Sequence, residues 1–203
     1  MPLNLDTLKV LLFDLGGVIV PWVGIDALEK LTGLSRAQVT KHFSNNAILS
    51  AYEIGACDDD AFAEELNSIF NLGLSTSEIK DLWNSWVKPP FPNTEAVLKS
   101  LNKRYITACL SNTNSLHWTH LQTILDLDAC FDMTFASQIL KSAKPDPEIY
   151  QATIKALNVP PESILFFDDT MINVDAAQSA GLQAVHVDRT VGVIPKLREI
   201  GLI

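Results

Sequence analysis

Five stretches of the chain are apolar almost without interruption: VLLFD at 10–14, YITACLS at 105–111, DMTFAS at 132–137, SILFFDD at 163–169 and QAVHV at 183–187. A strand with one wet face alternates apolar and polar residues, whereas continuous apolar character predicts strands covered on both faces, as in a parallel sheet. Around the later strands the pattern changes to the helical period, in NTEAVLKSLNKR, NSLHWTHLQTILDL, DPEIYQATIKALN and NVDAAQSAG. Asp146 and Pro147 open the third of these as N-cap and first helical residue, and Gly181 closes the fourth. Strands alternating with helices imply right-handed βαβ crossovers, and hence a doubly wound, Rossmann-like α/β core with a parallel sheet.

The exception lies between the first and second strands. Residues 21 to about 92 carry only helical patterns, such as GIDALEKLTG, SRAQVTKHF, DDDAFAEELNSIF and STSEIKDLWNSWV, separated by Gly, Asn and Ser. Prolines bracket this region, in VPW at 20–22 and KPPFPN at 88–93, and mark two hinge segments where regular structure does not continue. The expected organisation is a core domain built from 1–20 and 93–203, with 21–92 an inserted all-α helical cap domain. The triplet Asp58, Asp59 and Asp60 reads as a helix N-terminus, where carboxylates accept from free amides and complement the dipole. Trp22, Tyr52, Trp83, Trp86 and Phe91 are the bulky anchors expected in the insertion's own core, with Trp22 nearest the first strand.

Composition narrows the range of partners. A chain of 203 residues with 47% hydrophobic content has material for one sizeable core and a small appended unit. Its formal net charge of −9 repels phosphate backbones and anionic lipid surfaces, so neither nucleic acid nor a membrane is an expected partner. No apolar run approaches the roughly 20 residues that span a bilayer. The start MPLNLD lacks a basic segment followed by an apolar one, and no secretory signal is expected. Cys57, Cys109 and Cys130 have no C-x-x-C spacing and read as free buried thiols in a reducing cytoplasm. The expected assembly is a monomer or homodimer.

In open parallel sheets functional groups collect at the carboxyl ends of strands, near the point where strand order reverses. Those ends carry Asp14, then Ser111 with Asn112, then Lys144 shortly after the third strand, then Asp168 and Asp169. Singly, each has a structural reading: a turn or helix cap for the carboxylates, Ser111 and Asn112, and a solvated loop for Lys144. Together they supply a carboxylate that can attack, a hydroxyl and amides for an oxyanion, a lysine, and an acidic pair suited to Mg²⁺. These are the parts of a phosphoryl-transfer site.

Four motifs in this order, FDLGGV with Asp14, LSNTN with Ser111, AKPDPEIY with Lys144 and FFDDTMINV with Asp168 and Asp169, resemble the haloacid dehalogenase superfamily over nearly the whole chain. The similarity is greatest to small bacterial sugar-phosphate phosphatases with a helical cap, of the glucose-1-phosphate phosphatase kind. The resemblance implies that Asp14 is the nucleophile, forms an aspartyl-phosphate and gives one oxygen to Mg²⁺. It implies the backbone carbonyl of Gly16 as a second ligand, Asp169 as the principal carboxylate ligand, and Asp168 as a ligand or a neighbour supporting the ligands. Asn173 would hold that loop, Ser111 and the Asn112 amide would bind the phosphoryl group, and Lys144 would neutralise Asp14 and the phosphate together. The implied partner is a small phosphorylated metabolite.

The chain departs from the superfamily at Gly16, where most of its phosphatases carry a second Asp that protonates the leaving group. General acid catalysis contributes about 10² to 10⁴ in rate. Its absence is expected to favour esters whose leaving oxygen needs little protonation, such as anomeric sugar phosphates. His117 and His120 are candidate replacement acids, with His120 better read as an ordinary helix residue. The insertion reads Glu53-Ile54-Gly55 where relatives often have Glu-Arg-Gly, so a basic side chain is missing there. Two other functions compete: a hydrolytic dehalogenase, which needs no metal, and a catalytically weak domain that binds a metabolite or protein. The acidic pair favours phosphate chemistry, because two carboxylates would repel an anionic haloacid and call for a cation.

Overall fold

A computed structural model describes residues 3–44 and 46–203. The chain enters through β1 (Val10–Phe13) and passes through five helices, α1 (Gly24–Thr32), α2 (Arg36–Ser44), α3 (Ala47–Glu53), α4 (Asp59–Phe70) and α5 (Thr76–Ser85). Helices and strands then alternate: α6 (Thr94–Leu101), β2 (Ile106–Ser111), α7 (Ser115–Ile124), α8 (Leu127–Cys130), β3 (Met133–Ala136), α9 (Ser137–Leu140) and α10 (Pro147–Leu157). The last elements are β4 (Ile164–Asp168), α11 (Met171–Ser179), β5 (Gln183–His186) and α12 (Val193–Glu199). All five predicted strands form, in one sheet of order β3-β2-β1-β4-β5 in which every pairing is parallel.

The apolar runs have a two-sided explanation. Leu11, Phe13, Cys109, Leu165 and Phe167 join one core cluster, while Val10, Leu12, Ala108, Leu110, Ile164 and Phe166 join another. Successive side chains point to opposite faces of a strand, so a sheet with a core on each side requires apolar residues at every position. Phe13 and Phe167 face each other across the β1–β4 pairing with rings stacked at 4.9 Å. The chain fills one side of β1 with β2 and β3, then crosses to β4 on the other. The order therefore reverses between β1 and β4, and the crevice at their carboxyl ends is the place for a ligand.

Helices α1 to α5 have a third core of their own, containing Leu28, Phe62, Leu66, Ile79, Trp83 and Trp86. Asp58 caps α4 by accepting from the Ala61 amide, as the acidic triplet predicts, and Ser75 with Glu78 forms a capping box on α5. The two passages between insertion and sheet lie side by side: Trp22 and Val87 form an antiparallel bridge, and the Lys88 amide donates to the Pro21 carbonyl. Phe91 departs from its expected place, because it packs against Gly192 beside α12 and not in the insertion's core. Cys57 is only half-buried, unlike Cys109 and Cys130, and all three thiols are free. Among the described residues no helix is long and apolar enough to cross a membrane.

Candidate active site

Asp14 stands one residue beyond β1 with its amide still donating to the Phe167 carbonyl at 2.8 Å, so sheet geometry fixes its backbone. Lys144 Nζ lies 2.9 Å from Asp14 Oδ1 and 2.7 Å from Asp168 Oδ2, with the lysine side chain almost wholly buried. The lysine is held from behind by Asn112, whose Nδ2 donates to the Lys144 carbonyl while its Oδ1 accepts from the Lys144 amide, both at 2.8 Å. Asp168 is fully enclosed and also accepts from the Thr170 amide and from Asn173 Nδ2. Asn173 is held in turn by Tyr150, whose hydroxyl donates to its carbonyl. Asp169 pairs with a different cation, its Oδ2 3.5 Å from Arg189 Nε.

The electrostatics show a deficit of positive charge. Burial raises the Asp14 pKa to about 7 against the pull of Lys144, and repulsion from Asp168 and Asp169 adds to the rise. Burial on its own would lower Lys144, but Asp14 and Asp168 outweigh it and raise the lysine further above its ordinary value. Burial also raises Asp169, partly offset by Arg189. One shared internal lysine does not neutralise this set. Asp14, Asp168 and Asp169 each offer an oxygen within 4.8 Å of the others, and hard carboxylate donors at this spacing suit a small divalent cation.

Asp14, Gly16, Ser111, Asn112, Lys144 and Asp169 all line one cleft of about 510 Å³. Asp168 is absent from that lining and lies beneath it, behind Lys144. Its oxygens already engage Lys144, Thr170 and Asn173. The Thr113 hydroxyl is buried with no hydrogen-bond partner among the described residues. His117 lines the cleft, but burial lowers its pKa to about 4 and its Nε2 faces the Trp83 carbonyl at 2.9 Å. It is a neutral structural imidazole stacked on Trp83, which removes it as a replacement acid. Trp22 does reach the cleft. Two charged lining residues had no role in the sequence reading: Arg189, detectable as a cation just past the fifth strand, and Glu53, quoted there only for its missing neighbour.

A family model described as haloacid dehalogenase-like hydrolase matches residues 8–181. This protein is a member of that family. It is 29% identical to a phosphatase, MT3486, of Mycobacterium tuberculosis, with 97% of each chain covered. It is 26% identical to a D-ribitol-5-phosphate phosphatase of Bacteroides thetaiotaomicron, covering 87% of this chain and 90% of that one. The crystal structure of the haloacid dehalogenase family enzyme bt-2542 from Bacteroides thetaiotaomicron, in complex with magnesium and inorganic phosphate, superposes with a TM-score of 0.76 at 26% identity. It covers 88% of this chain and 93% of that chain. The α/β core with an inserted helical cap is therefore a family architecture, and the protein is a hydrolase.

Proposed function

We propose that this hydrolase is a Mg²⁺-dependent phosphatase acting on a small phosphorylated metabolite of the sugar-phosphate class through an aspartyl-phosphate. The observation that carries the reading is the Asp14 carboxylate at the switch-point crevice, 2.9 Å from a buried lysine and grouped with two further carboxylates. Phosphatases among its relatives, one named for a sugar-alcohol phosphate, support the substrate class.

Asp14 and Asp169 would hold the cation together with the Gly16 carbonyl, and Asp168 would support them with its negative charge. When bound, the ion offsets the carboxylates and polarises the phosphoryl oxygens. Lys144 withdraws charge from Asp14 and the phosphoryl group and is kept in place by Asn112 and Asp168. Ser111 and the backbone amide of Asn112 donate to the transferring group. Asp14 attacks phosphorus and the ester oxygen leaves; water then attacks the aspartyl-phosphate and frees Asp14. Residues 21–92 form the cap that covers this chemistry and keeps bulk water out, over a core of 1–20 and 93–203.

The test is phosphate release from a panel of phosphorylated metabolites with Mg²⁺ and with EDTA. Wild type should release phosphate only with the metal, and Asp14→Asn should release none. Metal-independent turnover, or activity surviving in Asp14→Asn, would overturn the reading.

A further inference from the structure

Expelling an alkoxide from a phosphate ester requires a proton, and Gly16 has no side chain to give one. The other groups of the cleft able to hold a proton differ in how far their partners have already committed them. Lys144 is locked between Asp14 and Asp168. The Tyr52 hydroxyl is shared between Asp59 and Ser115, and burial raises its pKa. His117 is neutral and bound to the Trp83 carbonyl. Arg189 is paired with Asp169, and Asp169 belongs to the carboxylate cluster.

Glu53 is different. It ends α3, lines the same cleft as Asp14 and Lys144, and is not buried. Neither of its carboxylate oxygens has a hydrogen-bond or ion-pair partner among the described residues. Its backbone is nonetheless fixed to the segment after β3. The Ser137 hydroxyl donates to the Glu53 carbonyl at 2.6 Å, and Lys141 Nζ donates to the Gly55 carbonyl at 2.9 Å. Desolvation raises the pKa of its carboxyl, with Lys144 pulling in the opposite direction. A carboxylic acid shifted toward neutrality, unpaired and held at the cleft has the properties of a general acid.

We propose that Glu53 protonates the leaving oxygen and so supplies the acid that residue 16 lacks. As the bond from Asp14 Oδ to phosphorus forms and the phosphorus–ester bond breaks, the Glu53 proton passes to the departing oxygen. In the second half, the bond from water to phosphorus forms, the Asp14–phosphorus bond breaks, and the water's proton returns to Glu53. With this group in place the enzyme is not confined to anomeric esters, and primary sugar phosphates become good substrates. The inference rests on the phosphatase reading above.

The experiment compares single-turnover release of the leaving group from 4-nitrophenyl, phenyl and benzyl phosphate, whose leaving oxygens are progressively more basic. In Glu53→Gln, benzyl alcohol release should fall by about 10² to 10⁴-fold, with a far smaller loss for 4-nitrophenol, because that oxygen departs without a proton. Glu53→Asp, which keeps a carboxyl, should recover part of the benzyl rate. A uniform loss across the three esters, or no loss, overturns the assignment of Glu53 and leaves the phosphatase reading intact. Asp14→Asn should abolish release from all three, and activity surviving there would overturn the phosphatase reading itself.

Discussion

Lys144 is one positive charge shared by two buried carboxylates, at 2.9 Å from Asp14 and 2.7 Å from Asp168. Ion pairs of this kind add little net stability when intact, because desolvation consumes the Coulombic gain, but removing one partner strands the others. Lys144→Met should therefore cost about 3–5 kcal/mol in urea denaturation with EDTA present. Added Mg²⁺ should recover part of the loss, since it replaces the missing cation. An unchanged midpoint in EDTA would mean that the lysine's charge does not offset the two carboxylates in the folded protein. The Asn112 amide belongs to the same unit, since its two hydrogen bonds to the backbone of residue 144 keep the lysine from leaving.

At the scale of elements, the site depends on what the loops after β1 and β4 allow. Gly17 has a φ of +76°, and a Cβ built on it would run into the Asp169 carboxylate, with Cγ only 2.7 Å away. Only glycine combines that backbone conformation with so close an approach. Gly33, the αL cap of α1, has a similar φ of +72° but nothing within 4 Å of a built Cβ. The pair separates strain from displacement. Gly17→Ala should raise the Mg²⁺ concentration for half-maximal activity about tenfold or more, equivalent to about 1.4 kcal/mol. Gly33→Ala should cost stability alone, about 1 kcal/mol. Equal metal requirements in the two variants would show that Asp169 does not depend on the Gly17 turn.

At the scale of the molecule, the inserted helices and the sheet domain meet through buried polar contacts as well as through the paired segments at Trp22 and Val87. Trp83 of α5 gives its carbonyl to His117 of α7 and its indole N–H to Asn114, which itself caps α7. His117 is held well below its ordinary value of 6.5, at about 4, because burial disfavours the imidazolium. Between those two values the unfolded chain binds a proton that the folded protein refuses, so this contribution to stability is complete above about pH 6.5 and is lost as pH falls toward 4. Thermal unfolding between pH 7 and 4.5 should show a steeper decline for wild type than for His117→Gln. Parallel declines would exclude His117 as the source.

The parallel sheet, the helical insertion and the carboxylates at strand ends were all legible in the sequence, because each leaves a local mark: unbroken apolar runs, the 3.6 period, and polar residues where an apolar run stops. Lys144 was legible through its motif. Helix α3 was not, since seven residues are too few to show a period; Asn46 starts it by accepting from the Ile48 and Leu49 amides. The same limit hid the clamp of Asn112 on Lys144 and the meeting of Glu53, from the cap, with residues more than 80 positions away. His117 shows the limit from the other side: its residue type suggests an acid, and only its stacking on Trp83 and its bond to a carbonyl make it a neutral prop. Apolar periodicity acts between neighbours in the chain and so decides which elements form. Proton affinity and charge balance depend on burial and on partners brought from distant segments, and these were decided only when the chain folded.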